Sequence, residues 1–283
     1  MKPKGIFASD IDNTLTDRRH LIPDIVEDYL SNLHKNGWEI VFLTGRTYSF
    51  AKMSIGKFTI PYHLGVQNGA EVFTIPHKKP LKKEFVSKEV LPVLEKILDG
   101  KESHFLAYSG MERGDFCYYA PSRFSEEMLD YLELLMPIAE NPWVSYESLD
   151  EIGQESFPLI KCIGSRKELT EVRKELEKSF PLNITIIEDS VDPKHSILLI
   201  NAKGVSKGDT LDKIIHENGW EGVYVIGAGD DENDISLLER ADFGISMGSK
   251  CPKLVEIADL IGKSSFENGI IPALDIALGE MSK

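Results

Sequence analysis

Asp10 and Asp12 stand two residues apart where the apolar run Gly5-Ile6-Phe7-Ala8 gives way to the polar stretch Asp12-Asn13-Thr14. Side chains alternate between the faces of a β-strand, so both carboxylates meet at one strand tip. Carboxylates that close repel unless a cation lies between them or one holds a proton. The pair therefore suggests a hard-metal site or shared acid–base chemistry. Asp and Asn are also ordinary turn residues after a strand, so the pair gains meaning only in company. Company comes from Thr44-Gly45-Arg46, Gln67-Asn68-Gly69-Ala70 and Gly229-Asp230-Asp231-Glu232-Asn233-Asp234. Asp230 and Asp234, four apart at a strand-to-helix junction, can join Asp10 and Asp12 in an oxygen-rich site suited to Mg²⁺. Lys207, between Gly204 and Gly208 at the start of a predicted helix, sits where a cation and helix N-terminal amides together hold an anion.

Each cluster ends an element that hydrophobic spacing predicts. A helix opens at Ile22-Pro23-Asp24, repeats Ile25, Tyr29, Leu30 and Leu33, and closes at Asn36-Gly37. The runs Glu39–Leu43 and His63–Val66 read as buried parallel strands, giving a β-α-β-α-β order with right-handed crossovers. The same grammar resumes with a helix over Val205–Asn218, a strand over Val223–Ala228, a helix over Asp234–Arg240 and a strand over Phe243–Met247. Helices over Pro252–Ala258 and Ile270–Leu278 follow. Ligands bind outside the carboxyl ends of strands in an open parallel sheet, so the polar tips are expected to face one crevice.

Between these halves the order changes. Helices over Ser87–Leu98, Ser125–Ile138 and Lys167–Phe180 mix with strands over His104–Tyr108, Asp115–Ala120, Leu159–Ile163, Ile184–Ile187 and His195–Ile200. This reads as an antiparallel sheet with helices on one face. The fold class expected is α/β: a Rossmann-like parallel-sheet core with helices on both faces, formed by residues 1–83 and 201–283, plus an inserted α+β cap over 84–200 with an antiparallel sheet. Lys78-Lys79-Pro80-Leu81-Lys82-Lys83 and Asn201-Ala202-Lys203-Gly204 read as the linkers.

A length of 283 residues and 42% hydrophobic content suffice for two cores. The net charge of -14 argues against a surface made for nucleic acid or anionic lipid, both of which need a positive field. Cys117, Cys162 and Cys251 lack metal-type spacing and suit reduced thiols packed in a cytoplasmic protein. The N-terminal apolar run is interrupted by Asp10 and Asp12, so no signal-peptide core is expected, and no run approaches the roughly 18 residues of a spanning helix. No membrane, nucleic-acid or obligate protein partner is inferred.

These motifs, in this order, resemble the haloacid dehalogenase-like hydrolase superfamily, specifically the Cof-type sugar-phosphate phosphatases with a large (C2B-type) cap inserted after the third strand. The residues that carry the resemblance are Asp10-Ile11-Asp12-Asn13-Thr14-Leu15, Leu43-Thr44-Gly45-Arg46, Lys207 and Gly229–Asp234. Asn68-Gly69-Ala70, Ser246-Met247-Gly248 and Glu267-Asn268-Gly269 support it. Two departures are Asn13 after the second Asp and Asp231, where the family commonly has Gly; Asn and Asp both tolerate left-handed turns. The resemblance implies an Mg²⁺-dependent phosphatase of a small phosphomonoester. Asp10 would be the nucleophile that forms an aspartyl phosphate, Asp12 the acid and base, and Thr44 and Lys207 the stabilisers of the transferring group. Asp10, Asp12 through its main-chain carbonyl, and Asp230 would hold the metal, with Asn233 and Asp234 orienting its shell, and Arg46 and Asn68 would contact substrate. Rival readings are a phosphomannomutase-like phosphomutase and a non-catalytic sugar-phosphate-binding regulator.

Overall fold

The computed structural model describes residues 2–77, 79–139, 142–189 and 191–281. By contacts the chain divides into two compact units. The first holds Met1–Thr44, Ala51–Lys82 and Ser206–Lys283, and the second holds Gly45–Phe50 and Lys83–Val205.

The first unit is built on an eight-stranded sheet. From one edge to the other its strands are Leu260–Gly262, Phe243–Met247, Val225–Gly229, Gly5–Ser9, Trp38–Leu43, Tyr62–Val66, Glu71–Ile75 and Lys79–Lys83. The first six are parallel, and Glu71–Ile75 runs antiparallel to Tyr62–Val66. The chain starts at the centre, builds outwards one way, and after the insertion returns to the other side of Gly5–Ser9. The order therefore reverses between Gly5–Ser9 and Val225–Gly229, and it is beside such a reversal that crossover loops leave a crevice. Asp10 and Asp230 directly follow the two strands that flank it.

Alternation along the strands gives the sheet two buried faces. Ile6, Ala8, Val41 and Leu43 pack with Leu211 and Ile214 of the helix Lys207–Asn218, and with Leu237, Leu238 and Leu254. Phe7, Ile40 and Phe42 point the other way and are fully buried. The helix Asp24–Lys35 packs on Trp38–Leu43 and meets the helix Ile270–Met281, where the Tyr29 hydroxyl donates to Asp275 at 2.6 Å. Each fully buried Leu or Ile of these faces contributes about 1.5–3 kcal/mol.

The second unit carries a six-stranded sheet in the order Leu182–Glu188, Ser196–Ala202, Leu159–Gly164, His104–Tyr108, Cys117–Tyr119 and Trp143–Ser145. All pairs are antiparallel except the last, which is parallel. Both of its faces are covered, which corrects the expectation of helices on one face. Phe105 and Ala107 pack with helices Val90–Leu98 and Arg166–Ser179, while Leu106 and Tyr108 pack with Met128, Tyr131 and Leu132 of the helix Glu126–Ala139. His104–Tyr108 is apolar at every position after His104, as a strand buried on both sides must be.

Gly45–Phe50 groups with this second unit, where the Ser49 main-chain N–H donates to the Asp115 carboxylate at 2.6 Å. Lys79–Lys83, read from sequence as part of a linker, forms the outermost strand of the parallel-sheet unit; Lys78 lies outside the described residues. A Lys-rich segment with one Pro is compatible with a sheet edge, where a missing N–H costs nothing and charge discourages further pairing.

Candidate active site

The tips of the central strands converge on one buried cluster in the first unit. Asp10 leaves the strand Gly5–Ser9 with its main-chain N–H donating to the Ala228 carbonyl at 3.0 Å, so the two central tips are tied together. Asp10 is 4% exposed. Lys207 is the first residue of the helix Lys207–Asn218, capped by Ser206, whose hydroxyl accepts the Asp209 N–H at 3.0 Å. A helical side chain leans back towards its own N-terminus. That direction carries the Lys207 ammonium, wholly buried, to 2.5 Å from both the Asp10 and Asp234 carboxylates.

Asp234 is equally buried, and its second oxygen accepts the main-chain N–H groups of Asp230 at 2.9 Å and Asp231 at 3.2 Å. The acidic loop is thereby wound around the carboxylate of its own last residue. Gly229 makes this possible: a Cβ there would lie 2.3 Å from the Asp234 Cβ and Cγ. Asp231 is extended and caps the short turn Glu232–Asp234, its carboxylate accepting the Glu232 N–H at 2.7 Å; it uses no left-handed geometry. Asn13 does adopt the left-handed conformation, at φ 50°.

The electrostatics follow from burial. Asp10 is pushed up to about 7 by burial first, and then by the Asp234 and Asp12 carboxylates, with the Lys207 ammonium pulling the other way. Asp230 is raised well above the carboxylate range by burial and by Asp10, Asp234 and Asp231. Burial works against the Lys207 charge, yet Asp10 and Asp234 hold its pKa above the ordinary lysine value. Asp10, Asp230 and Asp234 each offer an oxygen within 4.8 Å of the others. Three carboxyl groups gather about one ammonium in a water-poor site that opposes their ionisation until a cation offsets it, and every ligand atom is a hard oxygen. This set fits Mg²⁺ and does not resemble the nitrogen and sulfur sites of zinc.

The remaining residues singled out in the sequence fall as follows. Asp12 is partly exposed, and its carboxylate lies 3.7 Å from Nδ1 of His20. Nothing in the spacing marked His20, which reaches Asp12 through the turn after it. Thr44 is fully buried just past the strand Trp38–Leu43, its N–H donating to the Gly65 carbonyl at 2.9 Å. Asn68 is 2% exposed, sits at φ 60°, and accepts a hydrogen bond from the Asn233 side chain at 3.1 Å. Arg46 belongs to the second unit, 3% exposed, with its guanidinium 3.8 Å above the Phe50 ring. The buried hydroxyls of Thr14 and Ser246 are among those without a hydrogen-bond partner among the described residues; Ser246 pairs in register with Gly229.

Comparison with known proteins agrees with this architecture. Residues 7–274 match the haloacid dehalogenase-like hydrolase family. A 5-amino-6-(5-phospho-D-ribitylamino)uracil phosphatase of Bacillus subtilis is 22% identical over 95% of this chain and 94% of its own. A pyridoxal phosphate phosphatase of Escherichia coli is 24% identical over 86% and 88%. Among solved structures, a subclass IIB sugar phosphatase of the same superfamily superposes with a TM-score of 0.74 at 22% identity, covering 96% of this chain and 98% of that one. No helix among the described residues is long and apolar enough to cross a membrane.

Proposed function

The chain belongs to the haloacid dehalogenase-like hydrolase family, and we propose that it is an Mg²⁺-dependent phosphatase of small phosphomonoesters, sugar phosphates foremost, that carries the phosphoryl group transiently on Asp10. The observation that supports this best is the buried Lys207 ammonium between Asp10 and Asp234, with the Asp230 carboxylate beside them. A protein that only bound a phosphate ester would gain nothing from three carboxylates packed against that anion. The relatives are named for a phosphorylated ribitylaminouracil, for pyridoxal phosphate and for sugar phosphates. Their shared element is the phosphate ester, which directs this reading to the class of substrate.

In the first step an Asp10 oxygen bonds to phosphorus as the bond to the leaving oxygen breaks, and Asp12 gives that oxygen its proton. In the second, Asp12 takes a proton from water, the water oxygen displaces Asp10 from phosphorus, and inorganic phosphate departs, leaving Asp10 a carboxylate and Asp12 protonated again. Asp12 suits the proton work because its side chain, unlike that of Asp10, is reachable by solvent. Lys207 and the Thr44 hydroxyl stabilise the equatorial oxygens of the transferring group, and Arg46 contacts the substrate. Asp10, the Asp12 main-chain carbonyl and Asp230 would hold Mg²⁺, with Asn233 and Asp234 orienting them. The ion supplies the positive charge that lets a carboxylate approach a phosphate.

The test is phosphate release from a panel of sugar and other small phosphates, with Mg²⁺ and with excess chelator, beside an Asp10→Asn control. Turnover that needs the metal and vanishes in the control is expected. Turnover that persists in a folded Asp10→Asn protein would remove Asp10 as nucleophile. A panel that loses phosphate only to a second sugar position, with none set free, would move the reading to a mutase.

A further inference from the structure

We infer that Asn68 is a positioning residue, which clamps the Thr44 loop and the acidic loop to each other from a turn seated on the Lys207 helix, and does not read the substrate. The inference rests on the phosphatase reading above and assigns Asn68 a different part in it.

Three groups of the site come from stretches far apart in the chain, and the turn Gln67–Gly69 touches all of them. The Asn68 N–H donates to the Thr44 carbonyl at 2.8 Å, while the Thr44 N–H is held by the Gly65 carbonyl. Thr44 is thus fixed through its main chain from both sides, which sets where its hydroxyl points. The Asn68 side-chain oxygen accepts from the Asn233 amide at 3.1 Å, across 165 positions of sequence. Asn233 belongs to the loop that winds around Asp234, so this bond adds a second tie on that loop to the one Lys207 makes at Asp234. Gly69, at φ 91°, closes the set: a Cβ there would lie 1.7 Å from the Thr210 hydroxyl oxygen, so the turn rests directly on the Lys207–Asn218 helix, one turn beyond Lys207.

The backbone of the turn indicates that its shape is demanded. Gln67, Asn68 and Gly69 are consecutive residues at positive φ, of 53°, 60° and 91°, and all three are buried. Non-glycine residues hold that conformation only where the surroundings over-determine it, and such positions gather at functional sites. The Asn68 side-chain oxygen accepts from Asn233, which ties its amide to the acidic loop.

The deciding variant is Asn68→Gly, because glycine keeps the left-handed backbone and deletes only the side chain. Kinetics are measured with two phosphate esters of different leaving groups. Mg²⁺ binding is followed separately, without turnover, from the rise in melting temperature as the metal is titrated. The expected result is a kcat lowered about 10–100-fold, a KM within about twofold for both esters, and a weaker Mg²⁺ half-point, as for other residues that orient metal-holding groups. The double variant with Asn233→Ala should lose little more than either single one, since each removes the same bond.

A KM raised for one ester and not the other, with kcat and the Mg²⁺ half-point unchanged, would overturn the inference and return Asn68 to substrate binding. So would losses that multiply in the double variant. If Asp10→Asn kept its turnover, the phosphatase mechanism would fall. The metal titration of Asn68→Gly would still test the clamp.

Discussion

Replacing Asp10, the proposed nucleophile, should stabilise the protein that it inactivates. Burial above all pushes Asp10 up to about 7 in the fold, against 3.8 ordinarily. Its ionised form is therefore disfavoured, by about 4 kcal/mol at a pH above 7. Asn has the same shape and no charge, and Lys207 is not stranded by the change because Asp234 still lies 2.5 Å from its ammonium. Losing one of the two ion pairs gives back part of the gain. Metal-free Asp10→Asn is then expected to be more stable than wild type by about 2–4 kcal/mol at pH 8, which raises the melting temperature by roughly 4–16 °C for a unit of this size.

The sign of the pH dependence follows from linkage. A group whose folded pKa is raised contributes stability that is present below the unfolded value, 3.8, and lost as pH rises through about 7. The advantage of Asp10→Asn should thus be full at pH 8 and shrink steadily towards pH 4. Thermal melts of both proteins in chelator between pH 5 and 8 read this directly. Adding Mg²⁺ should raise the wild-type melt more than that of the variant. A metal-free Asp10→Asn protein that melts at or below wild type at pH 8 would refute the claim that the site stores electrostatic cost for a cation.

Other changes separate the roles within the site. Lys207→Met leaves Asp10 and Asp234 as unpaired buried carboxylates, so stability in denaturant titrations should fall by about 3–5 kcal/mol and kcat by at least about 10²–10³-fold. Asp12→Ala should spare aryl phosphates more than alkyl phosphates in steady-state assays, because a good leaving group needs little protonation; equal losses would remove Asp12 as the acid. Gly229→Ala puts a methyl group 2.3 Å from Asp234, and the shift this forces should cost about 1–3 kcal/mol in the same titrations, together with turnover.

What the sequence made legible was whatever has a local signature. The strand runs that end in Asp10, Thr44 and Asp230, and the glycine-flanked Lys207 before a helical repeat, can each be found within about ten residues. Topology then brings Asp10, Lys207, Asp230 and Asp234 into one cluster. Hidden features depend on partners distant in sequence. The Asn68–Asn233 bond spans 165 positions, and His20 meets Asp12 only through the path of a turn. The insert's second helical face was missed because Leu106 and Tyr108 look no different, in a continuous apolar strand, from Phe105 and Ala107. Lys79–Lys83 looked like a linker because the residues that suit a sheet edge, Lys and Pro, are also those of exposed connections.

The most direct measurement is to mix enzyme with a turned-over phosphate ester and Mg²⁺, quench in acid within a single turnover, and weigh the peptides. The peptide that contains Asp10 should gain the mass of one phosphoryl group before phosphate is released, and the gain should be absent from Asp10→Asn. Steady turnover with that peptide unmodified at every quench time, or the mass found on another residue, would contradict it.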